Sequence, residues 1–358
     1  MKDDLRPALH TTVLSFATSP NKDFIAFGTN TRKLLVYSAS ALFKYPQFEG
    51  DPHQIFDLKI SKSWHSLCTG NGLLFCGADR TVFIFKWKDI IKGSALSCVV
   101  QLPTDSFNFM DSGITSILFK KESDQLIVAT GTGFIHVFSI QDENLIHLSK
   151  YLAHKSVIHR ICTAGPNEFG SCSEDGLACF WDSRTTNKPT CSFEPDIVPH
   201  LSRPDLGAWL TTLSCDSLDC DWFATGGGPR LCLWNRRAAS PVTLLQLDSR
   251  SSIWHPQTTG FSCPGKEPRI IAGGNSSEIY QWNHSGSLAS SLSLADPPSA
   301  RVSHIMVAEL VDNPDCGKTN ASYMTRNDSE NVLVVAGVGP AIRVVSALGY
   351  PLGILNLS

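Results

Sequence analysis

The sequence predicts an all-β protein in which seven small sheets form one ring, a seven-bladed β-propeller in a single domain. Apolar or alternating runs of four to eight residues recur between clusters of Gly, Pro, Asn and Ser, which is typical of short strands. Helix-period patterning is scarce. The chain has 358 residues, 42% of them apolar, and a ring of repeated four-stranded units can reach this length as a single domain.

One stretch defines the repeat. Residues 153–182 read AHKSVIHRICTAGPNEFGSCSEDGLACFWD and resemble a nearly complete WD-repeat unit. Such a unit has a His before the first strand, a Ser on the second, an Asp in the following turn and a Trp on the third, here His154, Ser171, Asp175 and Trp181. Because a buried carboxylate needs partners, we predict that these side chains form a hydrogen-bonded chain with a structural, non-catalytic role.

A small-residue turn followed about eight residues later by a bulky residue recurs along the chain. The seven matches pair Gly28 with Tyr37, Gly77 with Phe85, Gly131 with Phe138, Cys172 with Trp181, Gly226 with Trp234, Gly273 with Trp282, and Gly337 with Val345. They predict blades at about 8–49, 50–103, 111–152, 153–195, 207–248, 250–296 and 300–358.

The irregular parts of the pattern lead to further expectations. We expect Ile55–Ile60 to be the first strand of the second blade and the first strand of the sixth to lie near Ser252–Phe261. The insertion Arg184–Ala208 is rich in proline and predicts an ordered, extended surface loop, whereas the polar insertion Asp312–Asn331 predicts disorder. The closing GILNL gives the last blade its own fourth strand, so we expect the first blade to pack directly on the seventh.

The net charge, the cysteine spacing and the lengths of the apolar runs argue against several classes of function. A formal net charge of −3 argues against sequence-independent nucleic-acid binding by this chain alone. The 12 cysteines show no C-x-x-C spacing, so we expect small buried hydrophobes and no metal site. The first residues lack the apolar core of a signal peptide, and no apolar run is long enough to span a bilayer. We therefore expect an intracellular protein with no membrane partner.

Three patterns that could suggest catalysis have simpler interpretations. Gly226–Gly228 are not followed by Lys-Ser/Thr or a helix, so they predict a tight turn and no phosphate loop. GFSCPG, at Gly260–Gly265, lacks the spacing of a nucleophile elbow. His159 lies near His154 and Asp175, but the predicted structural chain already accounts for the latter two. We expect no enzyme activity, no cofactor and no small-molecule substrate.

Propellers commonly bind partners through loops at the ends of the ring. The predicted second-to-third-strand turns carry charges of both signs, which suits a protein partner. Together with one residue after the WD-like unit, the candidate partner-binding residues are Arg32, Arg80, Glu174, Arg184, Arg230 and Glu278.

Four stretches carry a more specific resemblance. They are SRPDLGAW (Ser202–Trp209), DWFATGGGPRLCLWN (Asp221–Asn235), QWNHSGSL (Gln281–Leu288) and ALGY (Ala347–Tyr350). In this order, the chain resembles the family of WD-repeat sixth subunits of the THO complex. The resemblance implies a nuclear, non-enzymatic scaffold in the THO/TREX assembly, which serves messenger-RNA processing and export. It also implies docking on the coiled-coil subunits numbered five and seven, with RNA contacted only indirectly.

A second family resemblance leads to a different function. FGSCSEDGLACFWDSR (Phe169–Arg184) is similar to the box by which some WD proteins bind the adaptor of a cullin-RING ubiquitin ligase, with Asp175, Asp182 and Arg184 matching. Ser183 departs from the aliphatic residue usual in that box. The alternative function is therefore a substrate receptor of such a ligase.

Overall fold

A computed structural model gives the structure of the chain. It describes residues 11–39, 54–59, 63–94, 97–103, 113–141, 144–185, 188–247, 256–262, 268–293, 302–309, 331–337, 341–346 and 351–356. The predicted disordered insertion Asp312–Asn331 lies outside these residues except for Asn331.

Seven antiparallel sheets of four strands each follow one another along the chain. The first contains Val13–Thr18 (β1), Phe24–Thr29 (β2), Lys33–Ser38 (β3) and Gln54–Lys59 (β4). The second contains Ser66–Gly70 (β5), Leu73–Ala78 (β6), Thr81–Lys86 (β7) and Ser97–Gln101 (β8). The third contains Ile114–Lys120 (β9), Gln125–Thr130 (β10), Phe134–Gln141 (β11) and Asn144–Leu152 (β12). The fourth contains Ile158–Thr163 (β13), Glu168–Ser173 (β14), Ala178–Asp182 (β15) and Cys191–Phe193 (β16).

The remaining sheets repeat this order. The fifth contains Leu210–Cys215 (β17), Trp222–Gly227 (β18), Cys232–Asn235 (β19) and Ser240–Leu244 (β20). The sixth contains Pro256–Ser262 (β21), Arg269–Gly274 (β22), Glu278–Asn283 (β23) and Leu288–Ser293 (β24). The seventh contains Val302–Glu309 (β25), Asn331–Gly337 (β26), Ala341–Ser346 (β27) and Pro351–Asn356 (β28).

Helix is almost absent from the residues that the structure describes. The described residues include one short α-helix, Trp87–Ile91 (α1), and two 3-10 turns, Lys121–Ser123 and Pro195–Ile197. Within the described ranges, no helix has both the length and the apolar character needed to cross a membrane. The prediction of an all-β, seven-bladed propeller is confirmed.

The core is divided among the interfaces between neighbouring blades. On β2, Ile25 and Phe27 pack against the seventh sheet, whereas Ala26 between them faces the second. The cause is the two-residue period of a strand, which sends alternate side chains to opposite faces. Apolar clusters of this kind fill all seven contacts between adjacent sheets.

The ring closes by packing of the first sheet on the seventh. Val13, Phe27 and Tyr37 share one buried cluster with Val334 and Val344. The first strands β1 and β25 also contact each other, while each sheet consists of four consecutive strands. The predicted direct packing of the first blade on the seventh is therefore confirmed.

Two of the strand assignments made from sequence are wrong. Gln54–Lys59 pairs with β3 and completes the first sheet, so Ile55–Ile60 does not begin the second blade; Ser66–Gly70 does. Arg184–Ala208 is not only a loop, because Cys191–Phe193 within it pairs with β15. Both fourth strands lie at the outer edge of a sheet, where the alternation that marks a strand is weakest because one side is open to water. The predicted outer limits of the blades stay a prediction, since several fall outside the described residues.

We predict that Phe180→Ala destabilises the fold through the contact between the fourth and fifth blades. The Phe180 side chain is fully buried, and its ring centroid lies 4.9 Å from that of Phe223. Its removal should lower the free energy of unfolding by about 3–5 kcal/mol, measured by urea unfolding followed by tryptophan fluorescence. Leu218→Ala, at a residue 76% exposed, is the control and should change it by less than about 0.5 kcal/mol. Equal unfolding midpoints for the two variants would contradict the prediction.

Candidate docking faces

The ring has two faces that differ in the turns they carry. Because all strands within a sheet are antiparallel, the second-to-third-strand turns lie at one end and the other two kinds of turn within a sheet lie at the opposite end. We call the first end the upper face and the second the lower face. The first strands of neighbouring sheets contact one another and surround the axis of the ring.

The four residues predicted to form a hydrogen-bonded chain lie together in the fourth blade. His154 Nδ1 lies 3.0 Å from Asp175 Oδ2, and its Nε2 lies 2.7 Å from Ser171 Oγ. Trp181 Nε1 donates to the same Ser171 Oγ at 2.8 Å. His154, Ser171 and Trp181 are buried, and 8% of the Asp175 side chain is exposed. This hydrogen-bonded chain connects the turn after β14 to the segment before β13.

Backbone groups complete the environment of Asp175. The Lys155 N–H donates to Oδ2 at 2.9 Å and the Leu177 N–H donates to Oδ1 at 3.1 Å. Burial by itself raises the pKa of Asp175, but the hydrogen bond and charge of His154 and the two N–H groups outweigh it, so the pKa lies below its ordinary value. These neighbours therefore stabilise the ionised carboxylate, and Asp175 in turn connects the turn after β14 to the segment before β13.

Five of the six candidate partner-binding residues lie on the upper face. Arg32 and Arg230 are exposed in the turns of the first and fifth blades, and Arg32 adopts a positive φ of 71°. Arg80 donates to the Pro103 carbonyl at 3.0 Å. Glu174 lies 3.1 Å from His159 Nε2, and Glu278 accepts from the Tyr280 hydroxyl. The face therefore carries charges of both signs, spread over five blades.

Arg184 lies on the opposite, lower face, directly after β15. Its Nε and Nη2 donate to the two carboxylate oxygens of Asp182 at 3.0 and 2.7 Å. This pairing lowers the pKa of the Asp182 carboxyl, first through the side-chain hydrogen bond and then through the backbone one. The Arg184 side chain is 66% exposed, so the sixth candidate presents its guanidinium to water on a different surface from the other five.

Polar contacts across the blades on the lower face were not predicted from sequence. Lys120, at the end of β9, is buried, and its Nζ donates to the Glu168 carbonyl at 3.0 Å and to the Gly165 carbonyl. Arg236, after β19, donates to Glu168 Oε2 at 2.7 Å and to Asp221 Oδ1 at 3.4 Å. These contacts link the third, fourth and fifth blades. No motif marks them, because the partners are 48 and 68 residues apart in sequence.

Two open cavities flank the fourth and fifth blades. One, of about 560 Å³, lies beside Arg230 and His200. The other, of about 620 Å³, is lined by the first strands of the first, fourth, fifth and sixth sheets and by the lower-face turns after β13 and β17. We call this second space the lower cavity. Among the described residues, no group of three or more His, Cys, Asp or Glu side chains could hold a metal ion.

The sequence of the chain was compared with those of known proteins. No family model matches the chain. The chain is 28% identical to "THO complex subunit 6 homolog" of Danio rerio over 249 residues, 67% of this chain and 73% of that protein. It is 27% identical to "THO complex subunit 6" of Homo sapiens and 26% identical to the Rattus norvegicus homolog, over 84% of this chain and 87% of each of those proteins. The chain has homologues named THO complex subunit 6 in several vertebrates.

The two most distinctive stretches of the sequence resemblance to the THO family, Ser202–Trp209 and Asp221–Asn235, meet in the structure. The Gly228 N–H donates to the Trp209 carbonyl at 2.8 Å, and the Arg230 N–H donates to the Leu201 carbonyl at 3.0 Å. A side chain at Gly228 would overlap the backbone of Gly207, which explains why the run of glycines lies at this close approach. The two stretches thus build one surface at the upper end of the fifth blade. ALGY lies outside the described residues.

We predict that Ser171→Ala weakens the fourth blade more than an ordinary serine change. The variant leaves the buried Trp181 N–H and His154 Nε2 without the hydroxyl between them, and each unsatisfied buried group is costly. The free energy of unfolding should fall by about 2–3 kcal/mol, measured by urea titration. Ser291→Ala, at an exposed position on the outer strand β24, should change it by less than about 0.5 kcal/mol.

We also predict a pH dependence that arises from Asp175. A carboxyl whose pKa is lowered by folding contributes stability above its unfolded pKa of about 4, and the contribution is lost as the pH falls through the folded pKa. Wild type should therefore exceed Asp175→Asn in stability above pH 5, and the margin should shrink below pH 4. Urea unfolding of both proteins from pH 3 to 7 measures it. A margin that stays unchanged down to pH 3 would contradict the assignment.

Proposed function

We propose that the chain is a non-enzymatic scaffold subunit of a nuclear THO/TREX complex, which supports messenger-RNA packaging and export. The observation that carries the proposal is similarity to proteins named THO complex subunit 6 over 84% of the chain and 87% of the human protein. The matched length of 313 residues is several times that of a single blade, so the similarity is not confined to one repeat. We infer that the partners are other THO/TREX subunits, in particular the coiled-coil subunits five and seven, with RNA contacted indirectly.

The geometry of the polar groups supports a scaffold. The fourth-blade chain could be mistaken for a catalytic triad, since a Ser, a His and an Asp lie in hydrogen-bonding contact. However, Ser171 Oγ also accepts from Trp181 Nε1 and is fully buried. A nucleophile needs access to its substrate, and this hydroxyl has none. The hydrogen-bonded chain of these side chains therefore serves to fix the turn after β14.

We propose that the upper face is the docking face. It carries Arg32, Arg80, Glu174, Arg230 and Glu278 on short turns fixed by the sheets, so their side chains are presented from a rigid frame. Charges of both signs can steer and orient a protein partner. Turn residues fixed by backbone hydrogen bonds also lose little conformational freedom on binding.

The first test is co-purification of the tagged, full-length protein from a nuclease-treated nuclear extract of its own cells. We expect THO subunits five and seven to be recovered in near-stoichiometric amounts after nuclease treatment, identified by mass spectrometry. Retention without RNA follows if the contacts are between proteins. Absence of every THO subunit would overturn the proposed function.

A pair of charge reversals tests the face. We predict that the double variant Arg32→Glu with Arg230→Glu reduces recovery of the THO subunits about tenfold, because both positions are exposed on the upper face. Arg184→Glu is the matched control on the lower face and should leave recovery unchanged. The thermal unfolding midpoints of all three proteins should agree, since exposed charges contribute little to stability. Loss of recovery with Arg184→Glu alone would overturn the assignment of the upper face.

The same control separates the alternative function suggested by Phe169–Arg184. A cullin-RING substrate receptor should bind the ligase adaptor through the lower face, where Arg184 is exposed and paired with Asp182. Adaptor binding that is abolished by Arg184→Glu while THO assembly persists would establish a second role. Adaptor binding that survives the variant would exclude this use of the box.

A further inference from the structure

Two cysteines meet between the first strands of the fourth and fifth blades. Cys162 on β13 and Cys215 at the end of β17 are separated by 53 residues in sequence, and their Sγ atoms lie 3.6 Å apart. A disulfide requires about 2.05 Å. Side-chain rotations that bring the two sulfur atoms about 1.5 Å closer would close that gap, so the fold already holds the two thiols near each other.

The pair differs from five other cysteines of the fold in lining an open cavity beside a second thiol. Both side chains line the lower cavity of about 620 Å³, and both residues are partly exposed. By contrast, Cys76, Cys172, Cys179 and Cys232 are buried, and burial raises the pKa of Cys179 and of Cys232 to about 12. Cys98 is exposed on the outer edge strand β8. Among these seven cysteines, only the pair therefore combines a neighbouring thiol with an open approach; Cys220, also partly exposed, lines the same cavity.

Electrostatics gives the two thiols different reactivities. The contact between the two thiols lowers the pKa of Cys162 against the opposing effect of burial, and the charge of Arg160 lowers it further. The same contact, followed by burial, raises the pKa of Cys215. Since a thiolate is the nucleophile, Cys162 is suited to react first and Cys215 to react second.

We propose that Cys162 and Cys215 are a reversible disulfide site that joins the fourth and fifth blades after reaction with a small hydroperoxide. This inference does not rest on the proposed membership of the THO complex. It assigns a chemical role to one wall of the lower cavity, where the innermost strands of two blades meet.

The reaction is balanced in two steps. The Cys162 thiolate attacks one oxygen of the hydroperoxide, the O–O bond breaks, and the leaving oxygen takes up a proton as water or an alcohol, which gives a sulfenic acid at Cys162. The Cys215 sulfur then attacks the Cys162 sulfur, the S–O bond breaks, and hydroxide leaves with the Cys215 proton as water. Two thiols lose two electrons, and the peroxide gains them. A dithiol reductant reverses the link.

The test uses the full-length, reduced protein and hydrogen peroxide. After oxidation, remaining thiols are blocked with N-ethylmaleimide, and digestion followed by fragmentation mass spectrometry locates linked residues. We expect a Cys162–Cys215 link that dithiothreitol removes, and a thermal unfolding midpoint about 5 °C higher in the oxidised protein, because the link closes a 53-residue separation. Cys215→Ser should lose both effects and accumulate a sulfenic acid at Cys162, detected with dimedone. Cys98→Ser is the control and should keep both effects.

Three results would overturn the proposal. In the first, both residues are recovered as maleimide adducts under conditions that oxidise Cys98. In the second, Cys162 or Cys215 is linked instead to Cys220, which also lines the lower cavity. In the third, the sulfenic acid forms at Cys162 in the wild type but no link follows. Because the mapping on the wild type decides each of these, the test holds even if Cys215→Ser does not fold.

Discussion

The fold depends on covering both faces of seven narrow sheets. The middle strands show why: in β2, β10, β14, β18 and β22 every residue after the first is buried. A sheet that is apolar on both sides cannot end a row without exposing one face to water. The seventh sheet therefore packs on the first, where Val344 and Ile342 meet Phe27 and Tyr37. Closure of the ring covers both faces of all seven sheets.

Polar side chains at the ends of the strands fix the turns, and the blades achieve this in different ways. In the first and third blades, Thr29 and Thr130 hydroxyls donate to backbone carbonyls across the second-to-third-strand turn, at 3.0 Å in each case. In the fourth blade, the Asp175 carboxylate accepts the Leu177 N–H within the turn and pairs with His154 before β13. These groups keep the turns short and fixed, so the upper face presents its charged side chains from a rigid frame, as the proposed docking requires.

Several different kinds of contact meet at the interface between the fourth and fifth blades. On the upper side, Gly176 of the fourth blade lies against Ala208, just before β17, whereas on the lower side Arg236 links Glu168 to Asp221. Between them, Phe180, Phe193, Phe223 and Trp234 form an aromatic core. The Cys162–Cys215 contact lies on the axial side of the same interface. A cross-link there would join two blades that are already held together at both ends, so it would reinforce the existing geometry of the ring.

The sequence by itself determined the number of blades, the place of most second and third strands, and the members of the fourth-blade chain. These follow from local patterns, because a two-residue period and the order of His, Ser, Asp and Trp can be read within about 30 residues. Tertiary structure alone decided that Gln54–Lys59 completes the first sheet, that Arg184 faces away from the other candidate residues, and that Lys120, Arg236 and the two cysteines find their partners. The contacts of Lys120, of Arg236 with Glu168 and of the two cysteines join residues 45 to 68 positions apart, and the packing of neighbouring blades brings them together.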